Sequence, residues 1–191
     1  MQPQTPTPDT DPTDLTPDLV ARLRSGDAEA DRLLQRLYRD ALLRFCWGYL
    51  GRMDDAEDAV QDVCCKVLTA PTIPDRFRPW LYRIARNHCL NLIRDRAARK
   101  DGVPLPDPSM LHETLTGQLT RLVRDEMQTR LAELVRTLSP EQGEVLRLRY
   151  VEGLSRAEIA EVLELEEKLV KSRLFEGLTQ LREYAAQLKD T

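Results

Sequence analysis

Residues 76–100 read RFRPWLYRIARNHCLNLIRDRAARK, and the rest of the chain is organised around them. The apolar residues Trp80, Leu81, Ile84, Ala85, Cys89, Leu92 and Ile93 recur in steps of three and four. That period predicts a helix with one buried face. Pro79 falls near its first turn, where proline is tolerated. Eight basic residues (Arg76, Arg78, Arg83, Arg86, Arg94, Arg96, Arg99 and Lys100) stand against one acid, Asp95. Arg83, Arg86, Asn87, Asn91 and Arg94 fall mostly off the apolar stripe. Such a face suits a polyanion, because Arg neutralises phosphates and releases counterions. Arg and Asn can also read base edges, and Trp, Tyr and Phe can stack on an exposed base. A solvated basic face on an ordinary core helix would satisfy the same pattern.

The 191 residues give room for one large or two small domains. A hydrophobic content of 41% supports a folded core, and 5% aromatics means Leu, Val, Ile and Ala must fill most of it. Gly is scarce while Leu, Ala, Arg and Glu dominate, so an all-α fold is expected. The net charge is −4, yet residues 18–100 carry more bases than acids. A polyanion-binding surface must therefore be local. No apolar run approaches the roughly 20 residues that span a bilayer. The N-terminus, MQPQTPTPDTDPTD, has neither the basic nor the apolar part of a secretory signal. Cys46, Cys64, Cys65 and Cys89 form no CxxC, and the only histidines are His88 and His112. No metal site is expected, and the cysteines read as reduced thiols packed as small hydrophobes in a cytoplasmic protein. No phosphate-binding Gly loop or His/Cys/carboxylate constellation is present, so neither an enzyme nor a cofactor is expected.

Residues 1–17, rich in Pro, Thr and Asp, read as a disordered tail. A short helix is expected over Asp18–Arg24. Asp27 is a good N-cap for a helix running to about Leu50, with apolar positions from Ala30 to Phe45 at helical spacing. Gly51-Arg52-Met53 reads as a turn, with Asp54 or Asp55 capping a third helix over Ala56–Thr69. That helix turns Ala56, Ala59, Val60, Val63 and Val67 inward and Glu57, Asp58, Gln61, Asp62 and Lys66 outward. Two prolines make Ala70–Asp75 a loop. Gly102, Pro104, Pro106 and Pro108 make 101–118 a linker. A helix is expected over Leu119–Leu138. Ser139-Pro140-Glu141 is a helix start for Pro140–Val151, ended by Gly153. Ser155 and Glu158 make a capping box for a helix to about Leu163. After a break near Glu164–Glu166, a last helix runs from Glu167 to about Leu188. Ile159, Ala160, Val170 and Leu174 face inward in the pattern of a helix-turn-helix, whose second helix would present Lys168, Lys171, Ser172 and Arg173 to a major groove. A helical bundle used for protein contacts is the other reading.

Two stretches together resemble a known family. Asp54-Asp55-Ala56-Glu57-Asp58-Ala59-Val60-Gln61-Asp62-Val63, followed by Trp80-Leu81-Tyr82-Arg83-Ile84-Ala85-Arg86-Asn87, resembles region 2 of bacterial sigma factors, closest to the extracytoplasmic-function (ECF) group. Leu138-Ser139-Pro140, Val145 to Tyr150, Gly153-Leu154-Ser155, Glu158-Ile159-Ala160 and Val170 to Leu174 resemble region 4 of the same group. The resemblance implies two small helical domains, region 2 over 18–100 and region 4 over 119–191. It implies that Asp58, Gln61 and Asp62 dock on the coiled coil of the beta-prime subunit of core RNA polymerase. Arg76, Arg78, Trp80, Arg83, Arg86, Asn87, Asn91 and Arg94 would engage and melt the −10 promoter element. The loop Ala70–Arg78 resembles one that captures a flipped base. Lys168, Lys171, Ser172, Arg173 and Phe175 would read the −35 element. The linker would thread toward the polymerase cleft. Partners implied are core polymerase (beta-prime and beta), promoter DNA and an anti-sigma factor, with no membrane insertion and no covalent chemistry.

The chain departs from the family pattern in places. Glu164 stands where a turn Gly is usual, Lys168-Leu169 where a Gly-Thr pair is usual, and Glu176 where a basic residue follows Phe175. Glu166 and Glu167 suit a helix dipole but repel phosphates. The loop Ala70–Arg78 is about three residues shorter than is usual in the group. These features keep two other readings open: a sigma-like interaction or decoy protein whose region 4 no longer binds DNA, and a stand-alone helix-turn-helix regulator.

Overall fold

The computed structural model describes residues 21–23, 25–99 and 138–187. The tail, the linker and the helix expected over Leu119–Leu138 lie outside these residues, apart from Leu138. Among the described residues six helices follow one another: α1 Ala28–Leu50, α2 Met53–Leu68, α3 Phe77–Arg99, α4 Pro140–Tyr150, α5 Arg156–Leu163 and α6 Glu167–Gln187. Residues 21–23 are also helical.

Local chemistry fixes most of the boundaries. Asp27 caps α1 by accepting from the Glu29 N–H at 2.8 Å, and Gly51 closes it at φ 72°, which glycine adopts without Cβ strain. Ser139 and Gln142 form a reciprocal capping box on α4, with Pro140 at the first helical position. Ser155 and Glu158 do the same for α5. The start of α2 corrects the sequence expectation. The helix begins at Met53 rather than Ala56, and Arg52 occupies the N-cap without a side-chain hydrogen bond. Asp54 and Asp55 lie inside the first turn. There they favour the positive end of the helix dipole, and Asp55 Oδ1 pairs with Arg96 of α3 at 2.7 Å.

The few aromatic residues gather between α1 and α3. Phe45 meets Tyr49 and Tyr82 edge-on at 5.1 and 5.0 Å, and Phe77 meets Tyr38 at 5.6 Å. Against them α2 buries Ala56, Ala59, Val60, Val63 and Val67, the face its sequence pattern predicts. In the C-terminal half, Val145, Leu148, Leu154, Ile159, Val162 and Val170 are buried. The two halves do not stand apart. α3 packs on α5 as well as on α1 and α2, and one continuous apolar cluster includes residues of both halves.

The turn between α5 and α6 holds Glu164 at φ 55°, the one non-glycine residue at positive φ among those described. An L-residue there is strained by its Cβ, a cost of about 1 kcal/mol. Glu164→Gly should therefore raise the melting temperature by roughly 2–4 °C. The exposed Arg83–Glu164 pair, at 3.7 Å, would offset little of this when lost. Thermal unfolding followed by circular dichroism checks it, and a fall in melting temperature would contradict it.

Candidate polymerase and nucleic-acid interface

On α2, Asp58, Gln61 and Asp62 are exposed. Their spacing puts them on one face, beside the flank of α3. His88 of α3 is buried under that face. Its Nδ1 lies 2.6 Å from Lys66 Nζ, so the ring accepts there and carries its proton on Nε2. Nε2 is 3.1 Å from Asp62 Oδ2, within ion-pair range but not aligned for a hydrogen bond. Burial and the neighbouring Lys66 charge hold the His88 pKa below its usual 6.5, and Asp62 only partly opposes them.

A pH dependence follows. The unfolded chain takes up the His88 proton near pH 6.5, whereas the folded chain resists it to lower pH. Stability is fully present above 6.5 and falls as pH drops through the lowered folded value. Denaturant unfolding at pH 7.5 and 5.5 should show this loss, and His88→Gln should remove that part of it. An unchanged pH slope in the variant would count against the assignment.

The basic helix is placed differently along its length. Asn87, Asn91 and Arg94 are exposed, with Arg94 Nη1 donating to Asn91 Oδ1 at 2.9 Å. Trp80 is half-buried against Phe77, ring centroids 5.7 Å apart. A small pocket lies beside it, lined by Pro74, Arg76, Pro79, Trp80, Arg83 and Glu161. The arginines of the first half are engaged from across the fold. Arg76 pairs with Glu161, and Arg83 with Glu164. Arg78 is buried, donates to the Glu152 carbonyl at 2.8 Å and lies 3.6 Å from Glu158. Arg86 Nε and Nη2 grip both oxygens of Glu144, at 2.8 and 3.1 Å.

Sequence reasoning missed the partners that gather around Arg86 and Arg78. The Tyr49 hydroxyl donates to Glu144, and the Tyr82 hydroxyl to Glu152 Oε2 at 3.3 Å. Burial alone would raise the Glu144 pKa, but the Arg86 hydrogen bond and charge overcome it and hold the carboxyl below its usual range. Glu152 goes the other way: burial raises its pKa, and Arg147 and its other basic neighbours do not fully compensate. Arg147 of α4 is buried, its guanidinium 4.7 and 4.3 Å from the ring centres of Phe45 and Tyr49.

In the C-terminal half, α5 and α6 meet at the tight turn around Glu164, with Ile159, Val170 and Leu174 buried between them. Lys168, Lys171, Ser172 and Phe175 are exposed on α6, and Arg173 is half-buried. Phe175 is 69% exposed, so it is not a core residue of this fold. Glu176 lies among these groups. It accepts from the Ser172 hydroxyl at 2.8 Å, and its other oxygen from Gln142 at 3.4 Å.

A helical bundle with acidic and basic faces is thus followed by a helix-turn-helix, an arrangement that DNA-binding proteins use. Residues 34–99 match the sigma-70 region 2 family, and residues 128–181 match sigma-70, region 4. ECF RNA polymerase sigma factor SigW of Bacillus subtilis is 26% identical, over 90% of this chain and 95% of the relative. ECF RNA polymerase sigma factor SigL of Mycobacterium tuberculosis is 32% identical, over 83% of this chain and 92% of the relative. Among solved structures, CnrH in complex with the cytosolic domain of CnrY superposes with a TM-score of 0.62 at 27% identity, covering 91% of this chain and 96% of that one. The chain belongs to the ECF group of RNA polymerase sigma factors.

Proposed function

We propose that this chain binds core RNA polymerase and directs initiation at a specific set of promoters through −10 and −35 recognition and promoter melting. The observation that carries the reading is the succession of the two matched regions in one chain, each presenting a polar face of the expected chemistry. Asp58, Gln61 and Asp62 are the docking residues, where carboxylates meet basic side chains of the beta-prime coiled coil. Arg76, Arg78, Trp80, Arg83, Arg86, Asn87, Asn91 and Arg94 form the −10 face. Trp80 and the small pocket beside it supply an apolar wall on which a displaced base could stack. Lys168, Lys171, Ser172, Arg173 and Phe175 form the −35 face.

The protein performs no covalent chemistry of its own. It lends sequence choice and strand opening to an enzyme that holds the catalytic metal. The work is done in the cytoplasm, and none of the described helices is long and apolar enough to cross a membrane. An anti-sigma factor is a further expected partner. Glu176 favours a second reading, a decoy whose region 4 binds protein rather than DNA, because it ties up Ser172 and sets a carboxylate among the DNA-facing groups.

Gel filtration with purified core polymerase, followed by transcription on a promoter pool, tests the proposal. Stable association with selective transcripts is the expected result. Association without transcripts would favour the decoy reading, and no association would overturn both.

A further inference from the structure

Lys168, Lys171, Ser172, Phe175 and Glu176 are all exposed on α6. Their spacing lays them along one side of the helix, in the rhythm by which a recognition helix reads a major groove. Glu176 is the acid among them, and its carboxylate is held from two directions. The Ser172 hydroxyl donates to one oxygen at 2.8 Å, and the Gln142 side-chain amide donates to the other at 3.4 Å. Gln142 is itself fixed. It is buried in α4, and its side-chain oxygen accepts from the Ser139 N–H at 2.9 Å, which leaves the amide nitrogen for α6. Gly177, next to Glu176, lets the two helices come close enough for this. A Cβ there would stand 2.8 Å from Leu146 Cδ1 and 3.6 Å from Gln142 Cβ.

We propose that Glu176 is a base-reading residue of the −35 face and that it selects cytosine. The inference rests on the reading of α6 as the −35 recognition helix. A carboxylate accepts hydrogen bonds and donates none, and it has about four acceptor sites. Ser172 and Gln142 fill two of them, and both donors are neutral, so the negative charge remains for a further donor. In the major groove that donor is the N4 amino group of cytosine. Guanine and thymine present acceptors there, which repel a carboxylate. Adenine presents its N6 amino group beside the N7 acceptor, so an attraction comes with a repulsion. Phosphates repel Glu176 as well, but Lys168 and Lys171 on the same stripe supply cations that offset this. A side chain held by its neighbours before it meets DNA loses little rotamer freedom on binding. Ser172 and Gln142 are then positioning residues, which aim the carboxylate.

The test is the base preference of core polymerase loaded with the full chain. The probe is a pool of duplexes randomised over the length of a promoter, and the duplexes retained by the polymerase are sequenced. The wild type should enrich an upstream motif with cytosine on one given strand at one position. Glu176→Ala should lower the preference for that cytosine about tenfold, the discrimination of one good base contact. Glu176→Gln should move the preference to adenine, whose N6 and N7 an amide can engage together, and Glu176→Arg to guanine. Because Glu176 is exposed, these variants should keep the fold, which circular dichroism checks.

A carboxylate that only ties α6 to α4 would change stability or overall affinity in these variants and leave the motif as it is. An upstream motif unchanged by Glu176→Ala and Glu176→Gln, or one without the cytosine in the wild type, would overturn this inference alone. No upstream motif for the wild type would overturn the −35 reading of α6 and the inference with it.

Discussion

Reversing Asp58 and Asp62 to Lys should abolish binding to core polymerase while the protein stays folded. Both side chains lie on the exposed face of α2, clear of its buried stripe. Neither is needed to cap the helix, which starts at Met53. Surface substitutions of this kind usually change stability by no more than about 0.5 kcal/mol. Asp62 also faces His88, but that imidazole is held neutral by burial and by Lys66, so a second Lys nearby adds little strain. At the proposed interface the consequences are larger. Each reversal turns an attraction to a basic partner into a repulsion, and truncating one partner of a buried charge pair already costs about 2–5 kcal/mol. Two reversals should weaken association by more than about a hundredfold. Gel filtration with core polymerase reads the loss, and circular dichroism checks the fold. Retained affinity in a folded variant would remove the docking assignment.

The elements legible in the sequence are those whose signals are local. Asp27, the Ser139-Pro140 start and the Ser155/Glu158 box each fix a boundary through hydrogen bonds to backbone groups two or three residues away. The buried face of α2 was legible because that helix is apolar on one side only. Its start was misplaced because Asp54 and Asp55 satisfy cap preferences and first-turn preferences equally well, and the pairing of Asp55 with Arg96 is not local. The contact between the halves left almost no trace in the pattern. α4 buries Gln142, Gly143, Val145, Leu146, Arg147 and Leu148 nearly all round its axis, so it has no stripe to mark two packing partners. Arg147 reads as a solvent residue until the Phe45 and Tyr49 rings are brought beside it. Arg86 and Glu144 likewise offer no sign of their pairing, since they lie 58 residues apart. The hydrogen bond from Tyr49 to Glu144 spans 95.

Removing Arg83 and Asn87 together, as Arg83→Ala with Asn87→Ala, should leave polymerase binding intact but block promoter opening. Both side chains lie on α3 rather than α2, so the acids of the proposed docking face are unchanged. A single good base contact contributes about 1–3 kcal/mol, so losing two groups of the proposed −10 face should lower open-complex formation by about a hundredfold. Permanganate reactivity of unpaired thymines reads the opening directly. In the free chain Arg83 also pairs with Glu164 of the C-terminal half, so the double variant removes that ion pair together with the proposed DNA contacts. Asn87→Ala alone isolates the latter, since Asn87 is exposed and lies outside that ion pair. Unchanged reactivity in both variants, with polymerase still bound, would mean that opening depends on the outer residues Asn91 and Arg94 or on the pocket beside Trp80. The arginines nearest the C-terminal half would then serve only the packing of the two halves.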